Sequence, residues 1–170
     1  GRQLERLGLE PLLWDGIATS GDAGIVCLRQ ARRPLGFIGT ASDRAILVGR
    51  GVRIADTNDF DEIACAGLDE TRRAVADYEQ QIRPLAERGV LMHCLNPDRL
   101  VIRGGLPEPC AGAIADRYLQ LGGRVEYYGK PYPAIYRHAM RIAGGPAPDT
   151  VLAVGDGLDT DILGAARMGF

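Results

Sequence analysis

Lysine is nearly missing from this chain. Of its 20 basic residues, 19 are arginine and only Lys130 is lysine. A compact ammonium and a planar guanidinium do different chemistry, so the one lysine marks a position where a point charge suits better than a fork. Cysteine is sparse as well. Cys27, Cys65, Cys94 and Cys110 lie far apart, form no CxxC pair and have no histidine at metal-ligand spacing, which argues against a structural zinc site. Buried free thiols in a reducing cytosol are the simpler reading. No apolar run approaches the ~20 residues of a membrane-spanning helix. No apolar segment follows the early charges of Gly1–Arg6, so a secretory leader is not expected. Like-charge blocks are absent, and 20 basic against 22 acidic residues give a net charge of −2. Without a basic stripe, nucleic-acid binding is not expected.

What is present is an ordinary globular composition. Hydrophobic residues make up 46% and charged residues 25% of the 170 positions, which argues against disorder. Glycines and prolines divide the chain into short alternating elements. Leu4 and Leu7 read as a short helix ending near Gly8. Trp14 to Ser20 reads as a strand stopped at Ser20-Gly21-Asp22, and Ala23 to Ala31 as a helix. Gly36–Gly39 and Glu62–Leu68 read as strands. Thr71 to Arg88 is an amphipathic helix with Val75, Tyr78, Ile82 and Leu85 on one face, kinked by Pro84 in its last turn. Val90–Leu95 is a strand closed by Asn96-Pro97-Asp98, and Ala111–Leu121 is a helix. Val125–Tyr128 is a strand leading through Gly129-Lys130-Pro131 into a helix with Ile135, Ala139 and Ile142. Val151–Val154 is a further strand, followed by Gly155-Asp156 and a helix from about Thr160. Alternating strands and helices predict an α/β fold with a mainly parallel sheet.

Ligands of such sheets bind at the carboxyl ends of strands, and two polar clusters stand there. In Gly129-Lys130-Pro131 an ammonium precedes a proline at the first helical position, an arrangement that suits a phosphate or a carboxylate. An isolated Gly-Lys-Pro equally suits a surface loop. In Gly155-Asp156-Gly157-Leu158-Asp159-Thr160-Asp161, three carboxylates fall within six positions, the pattern of a hard cation that keeps several waters. Capping of the next helix by Asp159 or Thr160 accounts for one of these acids but not for three. A calcium-hand loop fails because Leu158 occupies its third position, and a dinucleotide GxGxxG fails because Thr160 stands where glycine is needed.

Taken together, these two clusters resemble the third and fourth motifs of the haloacid dehalogenase-type phosphatases. More narrowly, the chain resembles their class IIA members, the NagD-like sugar and nucleotide phosphatases, which carry a large cap inserted before the lysine motif. Cys110-Ala111-Gly112-Ala113, Leu121-Gly122-Gly123 and Asn96-Pro97-Asp98 resemble segments of that cap. The resemblance implies a Rossmann-like parallel sheet core, here incomplete, with an inserted α/β cap. Residues 1–34 would be core, 35–124 cap, and 125–170 core with the lysine and metal motifs. It further implies magnesium-dependent hydrolysis of small phosphate monoesters through an aspartyl-phosphate. Asp156 would ligate Mg2+, with Asp161 as a second ligand or as partner of the lysine. Lys130 would neutralise the nucleophile and the transferring phosphoryl group. Asn96, Asp98 and Gly129 would face the substrate, although Asn-Pro-Asp also makes a simple turn.

The family's first motif, a paired aspartate carrying the nucleophile, is absent; the early acids are Glu5, Glu10, Asp15 and Asp22. Thr19 and Ser20 imitate the second motif. The chain lacks an initiator methionine, and it is expected to be an internal portion of a longer cytoplasmic enzyme whose nucleophile lies upstream. The expected partner is a small phosphorylated metabolite, with no nucleic acid and no membrane; pairing of exposed cap strands into a homodimer is left open. Two other classes remain beside this one: a non-catalytic metal- and phosphate-binding module of the same fold, and a metal-free nucleotide-binding domain.

Overall fold

The computed structural model describes residues 2–170. Its centre is a four-stranded, all-parallel sheet of β1 (Gly36–Ile38), β2 (Glu62–Cys65), β3 (Leu91–Cys94) and β6 (Arg124–Tyr127), in the order β1-β2-β3-β6. Ile63 pairs with Met92, and Met92 with Val125, which sets the register across the middle of the sheet. The expected α/β class is therefore the observed one. Because all four strands point the same way, their carboxyl ends open onto one edge.

Both faces of the sheet are covered, as parallel sheets require. Successive strand residues alternate between faces. Ile63, Cys65, Met92 and Cys94 turn to a core completed by α4 (Glu79–Glu87) and α5 (Ala111–Gln120), through Ile82, Leu85, Ile114 and Tyr118. Ala64, Leu95 and Tyr128 turn to a second core completed by α2 (Ser20–Leu28) and α3 (Ala41–Gly49), through Ile25, Leu28 and Leu47. A polar chain runs across three strands on this second face. His93 is 3% exposed; its Nδ1 lies 2.8 Å from the Tyr128 hydroxyl and its Nε2 2.8 Å from Glu62 Oε2. Both ring nitrogens of this buried imidazole are thus satisfied, as burial demands.

Local chemistry sets the element ends. α3, which no periodicity announced, begins with a capping box: Thr40 Oγ1 accepts from Asp43 N at 3.1 Å, and Asp43 Oδ2 accepts from Thr40 N at 3.1 Å. Thr19 caps α2 by accepting from Asp22 N at 3.0 Å. Ser20-Gly21-Asp22, expected to stop a strand, is therefore the first turn of a helix, and residues 14–19 form no strand. The helix expected from Thr71 starts later. Asp69 Oδ1 takes the Thr71 and Arg72 backbone N–H groups at 2.8 and 2.7 Å, holding them in a loop, so helical structure begins with a 3-10 turn at Val75–Tyr78 and continues as α4. α4 runs through Pro84 to Glu87.

Three short elements complete the chain: α1 (Arg2–Arg6) and an antiparallel pair, β4 (Leu100–Arg103) with β5 (Leu106–Pro109), the last of which periodicity did not announce. After β6 come α6 (Pro133–Ile142), a π-turn at Leu158–Ile162 and α7 (Leu163–Met168). Val151–Val154, expected as a strand, lies outside both sheets, with Leu152 86% and Val154 87% exposed. A strand exists only through a hydrogen-bonded neighbour, and among the described residues none lies beside this segment. The cysteine reading needs a correction too. Cys65 and Cys94 are buried free thiols, but Cys27 is exposed and Cys110 half-buried.

Candidate active site

The loops leaving β3 and β6 meet at the carboxyl edge of the sheet. Gly129 is buried, and a Cβ there would stand 2.4 Å from Pro97 Cδ and 3.2 Å from Ser20 Cβ. Only a glycine lets the lysine loop pack so closely on the Asn96-Pro97-Asp98 turn. Tyr132 N donates to Gly129 O at 2.9 Å and closes a tight turn. The rings of Tyr127 and Tyr132 stack across that turn, 4.4 Å apart and 11° from parallel. Lys130 therefore projects from a loop clasped at both ends.

Its partner comes from the π-turn. Lys130 Nζ donates to Asp161 Oδ1 at 2.5 Å. The other carboxylate oxygen, Oδ2, accepts from Gly157 N at 3.3 Å and from Thr160 Oγ1 at 3.4 Å. A Cβ on Gly155 would fall 2.3 Å from Asp161 Cγ, and one on Gly157 would fall 2.0 Å from Thr160 Oγ1. Both glycines of the Gly-Asp-Gly run are thus the space in which this carboxylate is seated. Tyr136 of α6 fixes the turn from behind: its hydroxyl donates toward Thr160 O at 3.1 Å and Asp161 O at 3.4 Å. The hydrogen bond to Asp161 raises the Lys130 ammonium above the usual lysine range, and the same bond lowers the Asp161 carboxyl. Both are charged at neutral pH.

A cleft of about 390 Å³ opens beside this pair. Lys130, Asp159, Thr160, Asp98, Arg99 and Tyr132 are among the residues that line it. Asp98 and Lys130 thus line one cleft. Asn96 does not: its side-chain Oδ1 accepts from Asp98 N at 3.2 Å, which makes it a turn former. Gly129 acts through close packing. Asp156 is exposed on the loop before the π-turn and makes no hydrogen bond or ion pair among the described residues.

The carboxylates can be tested against a magnesium ion. Among the described residues no three metal-binding side chains form a cluster. Magnesium, however, usually keeps several waters and needs only one or two carboxylates beside substrate oxygens. Asp156 meets that requirement with an unengaged carboxylate. Both oxygens of Asp161 are engaged, so its place here is that of lysine partner. Arg99, Tyr132 and Tyr136 were not singled out from the sequence. The tyrosines flanking Gly129-Lys130-Pro131 at positions 127 and 132 were the one available sign of a clasped loop.

Two of the polar clusters singled out from the sequence thus meet as a lysine–aspartate pair at the carboxyl edge of an α/β sheet. Residues 30–169 match the family model for haloacid dehalogenase-like hydrolases, and the chain belongs to that family. It is 35% identical to a hydrolase of the haloacid dehalogenase-like family from Brucella suis 1330, with a TM-score of 0.85, covering 99% of this chain and 64% of that one. It is 30% identical to NagD from E. coli K-12, with a TM-score of 0.67 over 89% of this chain and 58% of that one. The fold is also that of a p-nitrophenyl phosphatase from Archaeoglobus fulgidus, at 24% identity and a TM-score of 0.75, covering 99% of this chain and 64% of the other. The chain thus spans less than two thirds of the length of these relatives. No curated protein matches it.

Proposed function

We propose that this chain carries the lysine and metal-binding part of a magnesium-dependent phosphatase. Its substrates would be small phosphate monoesters: sugar phosphates, nucleoside monophosphates or nitrophenyl phosphate. The observation that carries the reading is the Lys130–Asp161 pair, 2.5 Å long, at the edge of a cleft on the carboxyl side of the sheet. Phosphoryl transfer is driven chiefly by positioning and by neutralising charge on the transferring group. Asp161 holds the Lys130 ammonium in one place and charged, and half of that side chain remains open to solvent. Lys130 then meets the phosphoryl oxygens and the attacking carboxylate. Asp156 would hold magnesium, which when bound supplies further positive charge at the phosphoryl group. Asp98 and Gly129 would border the leaving group, with Asn96 shaping the turn that carries Asp98.

Attack through an aspartyl-phosphate needs a nucleophilic aspartate. No paired-aspartate motif of the family's form occurs in the sequence, so the proposal assigns the nucleophile to a residue outside it. Within the same reading, residues 1–34 and 125–170 belong to the core and 35–124 to the cap, with β6 (Arg124–Tyr127) joining the cap strands in one sheet across that boundary. The proposed location is the cytoplasm. No helix among the described residues is long and apolar enough to cross a membrane. Association into a homodimer through the β4–β5 pair is compatible with this arrangement.

The test is magnesium-dependent phosphate release from nitrophenyl phosphate by a form of the protein that includes the paired-aspartate motif, with the 170-residue chain as control. Activity in the longer form, abolished by Lys130→Met and by Asp156→Asn with the fold retained, is expected. A folded longer form without activity would overturn the phosphatase reading in favour of a binding module.

A further inference from the structure

The cleft beside Lys130 has a second cation whose setting differs from the first. Arg99 follows directly on the Asn96-Pro97-Asp98 turn. Its Nε donates to Asp116 Oδ2 at 2.5 Å and its Nη2 to Asp116 Oδ1 at 3.2 Å. This is a side-on pair: Asp116 occupies one edge of the guanidinium and fixes its plane. Nη1 has no partner among the described residues, and 70% of the side chain is exposed. The edge formed by Nη1 and the remaining Nη2 hydrogen is therefore open, in a geometry that matches two oxygens of one anion.

Arg99 and the stacked Tyr127 and Tyr132 line the same cleft as Asp98 and Lys130. The clasp that positions Lys130 also holds the aromatic wall beside Arg99. One cleft of about 390 Å³ joins both cations, a volume within the ordinary range for small-molecule sites.

We propose that Arg99, positioned by Asp116, recognises a carboxylate on the leaving group of the substrate, so that the preferred esters carry a second anionic group besides the phosphate. This inference rests on the phosphatase reading above. A neutral sugar or aryl leaving group would leave the guanidinium edge facing water, whereas a carboxylated one fills it with two charge-assisted hydrogen bonds. Asp116 is a positioning residue in this scheme and does not meet the substrate.

3-Phosphoglycerate and glycerol 3-phosphate test the assignment, because they differ in a carboxylate against a hydroxymethyl group. The kcat/KM of each is measured for the full-length protein, for Arg99→Met and for Arg99→Lys. The wild type is expected to favour 3-phosphoglycerate. Arg99→Met should lower the ratio of the two kcat/KM values at least tenfold, and Arg99→Lys should restore part of it. A ratio that Arg99→Met leaves unchanged, or a wild-type preference for glycerol 3-phosphate, would overturn the proposal and leave Arg99–Asp116 a surface ion pair. If neither ester is hydrolysed, nitrophenyl phosphate turnover by the same protein tells whether the phosphatase reading itself has failed, and calorimetric titration with 3-phosphoglycerate decides the subsite. Binding seen in the wild type and lost in Arg99→Met sustains it; absence of binding, or binding indifferent to Arg99, overturns it.

Discussion

Asp69 shows how one side chain can redirect a whole segment. Its carboxylate accepts from Thr71 N, Thr71 Oγ1, Arg72 N and Arg72 Nε at 2.7–2.8 Å. Burial pushes the carboxyl up, but these hydrogen bonds, those of Arg72 foremost, outweigh it and hold the group below the usual aspartate range. In the unfolded chain the group returns to about 3.9. The folded state therefore gains stability from the ionised form above that value, and the gain is lost as pH falls toward the depressed folded value. Asp69→Asn is expected to cost about 1–3 kcal/mol at neutral pH. The gap between variant and wild type should narrow between about pH 4 and pH 2, as read from urea midpoints across that range. A gap that stays constant would show that the charge is not what the site uses.

At the scale of elements, the site depends on how closely α5 approaches the Asn96-Pro97-Asp98 turn. Gly112, in the first turn of α5, would bring a Cβ to 2.1 Å from Pro97 O and 2.7 Å from Asp98 O. Its neighbour there is backbone, which has little room to move. Alanine favours a helix over glycine by about 1 kcal/mol, yet a forced shift of this kind costs about 1–3 kcal/mol. Gly112→Ala should lower the melting temperature and displace Asp98 from the cleft, which a drop in kcat/KM of the longer form would report. The sequence made the strands around Ile63, Met92 and Val125 legible, because buried parallel strands are plain apolar runs. It also displayed Lys130 and the acids of the Gly155–Asp161 run. It hid α3, whose capping box rests on Thr40 and Asp43 alone and whose face is mostly exposed, and it hid β4–β5, whose apolar residues Leu100, Val101, Ile102 and Leu106 are exposed. The lysine–aspartate pairing was open between two readings, because spacing says which residues share an edge and not which oxygen meets which donor.

At the largest scale, the 170-residue chain exposes apolar side chains outside the sheet that organises the site. Leu152, Val154 and Leu158 are at least 77% exposed along one stretch before and into the π-turn. Contiguous apolar exposure of this sort drives association. Replacing Leu152 and Val154 with serine is expected to reduce self-association of the 170-residue chain in sedimentation velocity while leaving its melting temperature unchanged, since neither side chain belongs to a buried core. A lowered melting temperature would mean that the segment packs in a way the exposed side chains do not show.

The clasp formed by Tyr127 and Tyr132 has a consequence of another kind. With two rings stacked across a tight turn, the entropy of ordering the lysine's backbone is spent when the chain folds and not when a ligand arrives. The ammonium stands aimed before any encounter, so an anion binding there would not bear the cost of ordering the loop.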